Sequence, residues 1–179
     1  MAETLIIGTS SSGKTVLVRQ LRHLTTAHKK KQKKNVNSVI SFETKPTVGV
    51  ELDDIYLTKN CPHTLREVGA PMAPMWSAFY KGCNCVPFLV DSSNHSMLPE
   101  AAVELWHTLS SKNIRNKPIL ILGTKIDCPS LLSQEDIHEY LRVMELQENH
   151  SAIVDIMSVN LIDENDCMKV LEWLRKTMQ

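Results

Sequence analysis

Gly8-Thr9-Ser10-Ser11-Ser12-Gly13-Lys14-Thr15, GTSSSGKT, decides the fold. It fits the pattern G-x-x-x-x-G-K-[ST] and follows a short apolar run, Thr4 to Gly8. It opens a segment in which Val16, Leu17, Leu21 and Leu24 fall on one helical face. Strand, glycine-rich turn and helix, in that order, make a phosphate cradle. Gly8 and Gly13 let the backbone bend around an anion, the backbone N–H groups of Ser10, Ser11 and Ser12 face it, and the helix N-terminus adds partial positive charge. Lys14 supplies a cation for the terminal phosphates and Thr15 a hydroxyl for Mg²⁺. Average residue frequencies produce the pattern by chance in under about 1 % of chains this long. A nucleoside triphosphate site is expected, and the loop alone does not choose between ATP and GTP.

Working outward, Val50 to Leu57 and Thr64 to Val68 are strand candidates separated by Asn60 and Pro62, a hairpin-like pair. Val86 to Val90, Pro118 to Leu122 and Ala152 to Met157 are further apolar runs. Helical patterns are expected at about Pro99 to Leu109, Ser133 to Met144 and Asp166 to Met178. Apolar strands alternating with helix-length segments predict an α/β fold: one mostly parallel sheet of six strands with helices on both faces and ligands at the C-terminal strand ends. The 179 residues, 42 % of them hydrophobic, suit a single domain. The basic stretch from His28 to Lys34 and the aperiodic residues after it predict a loop insertion over about 28–42.

Gly123 to Asp127, GTKID, follows the run PILIL. The Asp127 carboxylate can accept from both N1–H and the 2-amino group of guanine, a donor pair that adenine lacks. Lys125 can lay its alkyl stem along the base, and Thr124 can tie this turn to the phosphate loop. After the last strand, Ser158 and the following backbone at Val159 are candidates for a second base contact.

Twenty basic residues balance twenty acidic ones, so no overall field argues for nucleic acid. The five cysteines lack the C-x-x-C spacing of a zinc or redox site and are expected as free thiols in a reducing compartment. No window approaches the ~18 apolar residues of a membrane span, so a cytoplasmic protein is expected. The lysine run Lys29, Lys30, Lys31, Lys33 and Lys34 could meet anionic lipid, but no aromatic residue interleaves with it as a nucleic-acid platform would need.

GTSSSGKT, KPTVGVELDDI, REVGAPMAPMWSAFY, FLVDSSN, TKID and LEWL, in that order, span nearly the whole chain. Together they resemble a P-loop small GTPase of the Ras superfamily, within the Arf-like family and most similar to its divergent sixteen type. The resemblance implies GTP/GDP and Mg²⁺ as cofactors and a monomeric molecular switch with effectors and exchange or activating factors as partners. It makes Pro46, Thr47, Val48 and Gly49 switch I, with Thr47 closing on Mg²⁺ and the γ-phosphate. It makes Gly69 and Trp76 part of switch II; Trp76 could be exposed to an effector or buried beneath the switch. Neither usual lipid anchor is expected, since Ala2 stands in place of a myristoylated glycine and RKTMQ is no prenylation box.

Switch II departs from the family. Aligned without gaps, the family's Mg²⁺-linked aspartate, γ-phosphate-binding glycine and water-orienting glutamine fall on Glu67, Ala70 and Pro71. Glu67 keeps the charge and is expected to reach the metal through water. Ala70 keeps an N–H but is pushed toward extended backbone by the proline after it. Pro71 has neither an amide side chain nor an N–H, so slow or partner-dependent hydrolysis is expected, with no confident catalytic residue. A small P-loop kinase using ATP, or a nucleotide-loaded scaffold that does not cycle, remain the alternatives.

Overall fold

The computed structural model describes residues 2–30, 41–58, 61–128 and 133–178. The strands are β1 (Glu3–Gly8), β2 (Val50–Thr58), β3 (Cys61–Val68), β4 (Val86–Asp91), β5 (Ile119–Thr124) and β6 (Val154–Val159). The helices are α1 (Lys14–Lys30), α2 (Ser77–Tyr80), α3 (Leu98–Leu109), α4 (Gln134–Tyr140), α5 (Val143–Asn149) and α6 (Glu164–Thr177), with short 3₁₀ turns at Ala70–Met75 and His95–Met97. All six strands form one sheet in the order β2-β3-β1-β4-β5-β6. Among the described residues, only the β2–β3 pair is antiparallel.

Alternation along the buried strands builds a core on each face. Leu5 and Ile7 of β1, Phe88 and Val90 of β4, and Ile119 and Ile121 of β5 pack with Trp76, Leu98 and Leu105. Their neighbours Ile6, Leu89, Leu120 and Leu122 turn the other way, onto Leu17 and Leu21 of α1 and Leu171 and Leu174 of α6. The parallel register aligns the C-terminal strand ends: Gly8 lies opposite Leu89, Asp91 opposite Thr124, and Thr124 opposite Val159. That edge carries the phosphate loop, GTKID and the β6 end side by side.

Four local expectations are corrected. The basic stretch does not begin a loop at residue 28, because α1 continues to Lys30; lysine is a good helix former. The rest of the expected insertion, with Lys31, Lys33 and Lys34, lies outside the described residues up to residue 40. Pro62 does not separate two strands but sits within β3 opposite Tyr56, beside a register shift that accommodates its missing donor. The segment from Ser133 to Met144 is two helices, because Arg142 takes a left-handed φ of 52° and its guanidinium stacks 6.0 Å from the Trp106 ring. The last strand runs two residues further than Met157, to Val159.

Of the four cysteines whose side chains are described, all are free. Cys83, Cys85 and Cys167 are buried and Cys128 is half-buried. Burial pushes the thiols of Cys85 and Cys167 up to about 12 and raises that of Cys83. A raised thiol pKa leaves almost no thiolate at neutral pH. Titration of the native protein with a thiol reagent at pH 7.5 is therefore expected to label Cys128 readily and these three only after unfolding. Rapid native labelling of Cys85 or Cys167, located by peptide mapping, would contradict the burial.

Candidate nucleotide and metal site

The loop between β1 and α1 needs its unusual backbone. Gly8 has φ 144°, and a Cβ there would stand 2.2 Å from the Leu89 carbonyl oxygen of the neighbouring strand. Ser11 at φ 58° and Gly13 at φ 89° also adopt positive φ, closing the turn. Lys14 Nζ lies inside that turn and donates to the carbonyls of Gly8 (2.9 Å) and Thr9 (2.7 Å). Burial lowers its pKa to about 8, against the attraction of Glu67. Ser10 and Ser11 are exposed, whereas Ser12 is buried and its hydroxyl donates to Thr9 O at 2.8 Å. A cleft of about 370 Å³ opens over this loop, walled by Pro46 and Thr47 on one side and Gly69, Ala70 and Pro71 on the other.

Three oxygens converge at its floor. Thr15 Oγ1 donates to Glu67 Oε1 at 2.6 Å, Thr47 Oγ1 donates to the same atom at 3.1 Å, and the two hydroxyl oxygens lie 3.2 Å apart. Glu67 is 1 % exposed, and its Oε2 is buried without a partner. Burial accordingly raises its pKa, with the two threonine hydroxyls and Lys14 opposing and Glu51 adding to the rise. A buried carboxylate with an unsatisfied oxygen beside two hydroxyls is the hard-oxygen donor set that Mg²⁺ takes, so the residues fit that ion.

Segments 46–49 and 69–71 meet through backbone. Gly69 N–H donates to Gly49 O at 2.9 Å, and a Cβ on Gly69 would stand 2.1 Å from Thr47 O. Arg19 of α1 holds the outer part of this strap by donating to Ser41 O (2.8 Å) and Glu43 O (2.9 Å). Ala70 is not extended as Pro71 would suggest. It opens the 3₁₀ turn after an extended Gly69 and takes no positive φ. Trp76 is buried at 1 % exposure, its Nε1 donating to Gly69 O at 3.3 Å and its ring meeting Phe88 edge-on at 6.2 Å. Of the two placements left open, burial is the one adopted, so Trp76 braces the turn at residues 69–75 from beneath. Val48, at 86 % exposed, Leu52 and Met75 are among the outward apolar residues here.

At the other end, Thr124 Oγ1 donates to Ser12 O (2.9 Å) and Val90 O (3.1 Å), joining the GTKID turn to the phosphate loop. Lys125 takes a left-handed φ of 59°, and its Nζ donates to Asp91 Oδ2 at 2.6 Å. Asp127 is exposed beyond it. Ser158 is half-buried opposite Gly123, and Val159 is wholly buried as the last residue of β6.

The model of the ADP-ribosylation factor family matches residues 1–178. The chain belongs to the Arf family. Members of this family are small GTPases that bind guanine nucleotides. Among its relatives, ADP-ribosylation factor-like protein 16 of Homo sapiens is 29 % identical over 173 residues, covering 97 % of this chain and 84 % of that protein. ADP-ribosylation factor-like protein 1 of Saccharomyces cerevisiae is 25 % identical over 172 residues, covering 95 % and 84 %. A solved structure of the Arl6 BBS3 small GTPase from Trypanosoma brucei, with the bound nucleotide analogue GppNp, shares the fold. Its TM-score is 0.79 at 21 % identity, over 98 % of this chain and 96 % of that one.

Two contacts of this Arf-family chain escaped the sequence reading. Asp91 ends β4 inside the segment FLVDSSN, yet only three-dimensional pairing reveals that it fixes Lys125. Arg19 carries no motif at all, and its role depends on where residues 41–43 return across α1. Among the described residues, no helix is long and apolar enough to cross a membrane.

Proposed function

We propose that this Arf-family chain is a GTP- and Mg²⁺-dependent switch that holds GTP well and hydrolyses it slowly unaided. The observation supporting this reading is the convergence of Thr15, Thr47 and Glu67 on one point while Pro71 occupies the wall beside it. The phosphates lie on the backbone N–H groups of Ser10 to Lys14, with Lys14 Nζ and the Ala70 N–H facing the terminal one. Asp127 accepts from the guanine edge, Lys125 covers the base with its stem, and Thr124, Ser158 and Val159 shape the turn around it. Thr15, Thr47 and Glu67 would hold Mg²⁺, which would supply positive charge to offset that of the phosphates. Closure of Thr47 onto that point places Pro46, Val48 and Gly49 beside Gly69, and this combined surface is what an effector recognises.

Hydrolysis needs a positioned water. Pro71 offers no donor or acceptor side chain and no N–H, so a partner must supply the positioning group. Asp127 favours this reading over an ATP-using kinase, because an adenine cannot fill both acceptor positions of the carboxylate. The protein acts as a cytoplasmic monomer whose nucleotide state is set by exchange and activating factors.

Denaturing the purified protein and chromatographing the released nucleotide is expected to yield guanine nucleotide, which exchanges once Mg²⁺ is chelated. Single-turnover hydrolysis is expected to run slower than roughly 10⁻⁴ per second. Adenine nucleotide, or faster unassisted hydrolysis, would overturn the proposal, and guanine nucleotide that never exchanges would favour a static scaffold.

A further inference from the structure

We propose that Glu67 ligates Mg²⁺ directly, taking the place of a metal-bound water, an inference that rests on the nucleotide site proposed above. The Arf-like resemblance implies a shorter aspartate acting through water, and the geometry of this chain points elsewhere. The oxygens of Thr15, Thr47 and Glu67 form a triangle with edges of 2.6, 3.1 and 3.2 Å. Octahedral Mg²⁺ with bonds of about 2.0–2.1 Å holds adjacent ligand oxygens about 2.9 Å apart, so the triangle matches one face of that octahedron. Binding there needs the two hydroxyl protons to turn away from Oε1 and only small shifts of the oxygens themselves.

The carboxylate cannot easily withdraw to make room for an intervening water. Glu67 lies in β3 with Ile6 of β1 on one side and Glu51 of β2 on the other, so its backbone is fixed from both flanks. An aspartate on the same backbone would end one methylene earlier, about 1.5 Å short of the triangle, which is the space a bridging water needs. Oε2 remains buried without a partner while Oε1 accepts from both threonines. A cation on the open side of the triangle balances the charge that the two hydroxyls leave uncompensated. The consequence is mechanical: the ion joins this fixed end of β3 to Thr47 of the strap, so loss of the metal frees the strap rather than the strand.

The full chain is loaded with Mn²⁺ and a non-hydrolysable GTP analogue, and metal-bound waters are counted by electron paramagnetic resonance in ¹⁷O-enriched water. Two hydroxyls, two phosphate oxygens and the Glu67 carboxylate leave one water in a six-coordinate shell. Glu67→Asp is expected to show two waters, and Glu67→Gln to raise the Mg²⁺ needed for half-maximal analogue retention by at least about tenfold. Two waters in the unaltered chain overturn direct ligation and leave the nucleotide site standing. Failure to retain Mn²⁺ with the analogue overturns both. The count on the unaltered chain decides the matter even if a variant does not fold.

Discussion

Lys14→Ala is expected to lower affinity for GTP by more than about a hundredfold, near 3 kcal/mol, with the fold intact. The charged end of Lys14 lies within the turn itself, 2.7 Å from Thr9 O and 2.9 Å from Gly8 O. Burial lowers its pKa to about 8, against the attraction of Glu67. The ammonium is therefore held ready at a cost to the empty protein, and an arriving polyphosphate supplies the missing counter-charge. Truncation removes that attraction and leaves phosphate oxygens facing backbone carbonyls. It also relieves a buried charge, so stability should change little. Titration calorimetry with GTP and Mg²⁺, beside a thermal melt of the nucleotide-free chain, checks both halves. Affinity within a few fold of the unaltered chain would refute the assignment of the loop as the phosphate site.

The parts legible in the sequence were those whose cause is local. GTSSSGKT announces its turn because Gly8 and Gly13 adopt φ values that L side chains avoid, and the central strands announce themselves as continuous apolar runs that feed both cores. The break at Arg142 has no such mark. A left-handed arginine is held by its stack on Trp106 and its bond to Glu145, and neither glycine nor proline punctuates the sequence there. Pro71 was misleading in a related way: its restriction on Ala70 is real as a local preference, but the Met72 N–H donating to Gly69 O closes a 3₁₀ turn over it. The burial of Trp76 depends on Phe88 arriving from β4, and the fixing of Lys125 on Asp91 needs β4 beside β5. The meeting of Thr15, Thr47 and Glu67 spans 52 residues of chain, so only the family resemblance could suggest it before the fold was known.

Gly69→Ala is expected to leave the fold standing while abolishing most of the Mg²⁺ dependence of nucleotide retention. The backbone at Gly69, φ −61° and ψ 147°, is ordinary for any residue, so the variant carries no conformational strain of its own. What it lacks is space: the new Cβ would sit 2.1 Å from Thr47 O and 3.0 Å from Thr47 C, and backbone cannot yield as a side-chain tip can. One of the two segments must move. Gly69 is anchored by β3 behind it and by Trp76 Nε1 on its carbonyl, whereas residues 41–48 form an irregular, mostly exposed strap. The strap gives way, and Thr47 Oγ1 leaves Glu67. Gly8 provides the contrast, because its close neighbour is Leu89 inside the sheet and nothing there can swing aside. Dissociation of labelled GTP from Gly69→Ala in Mg²⁺ should therefore approach the rate seen after chelation, at least about tenfold faster than the unaltered chain. Unchanged sensitivity to chelation would mean that Thr47 takes no part in holding the ion, and that the contact between the two straps is packing alone.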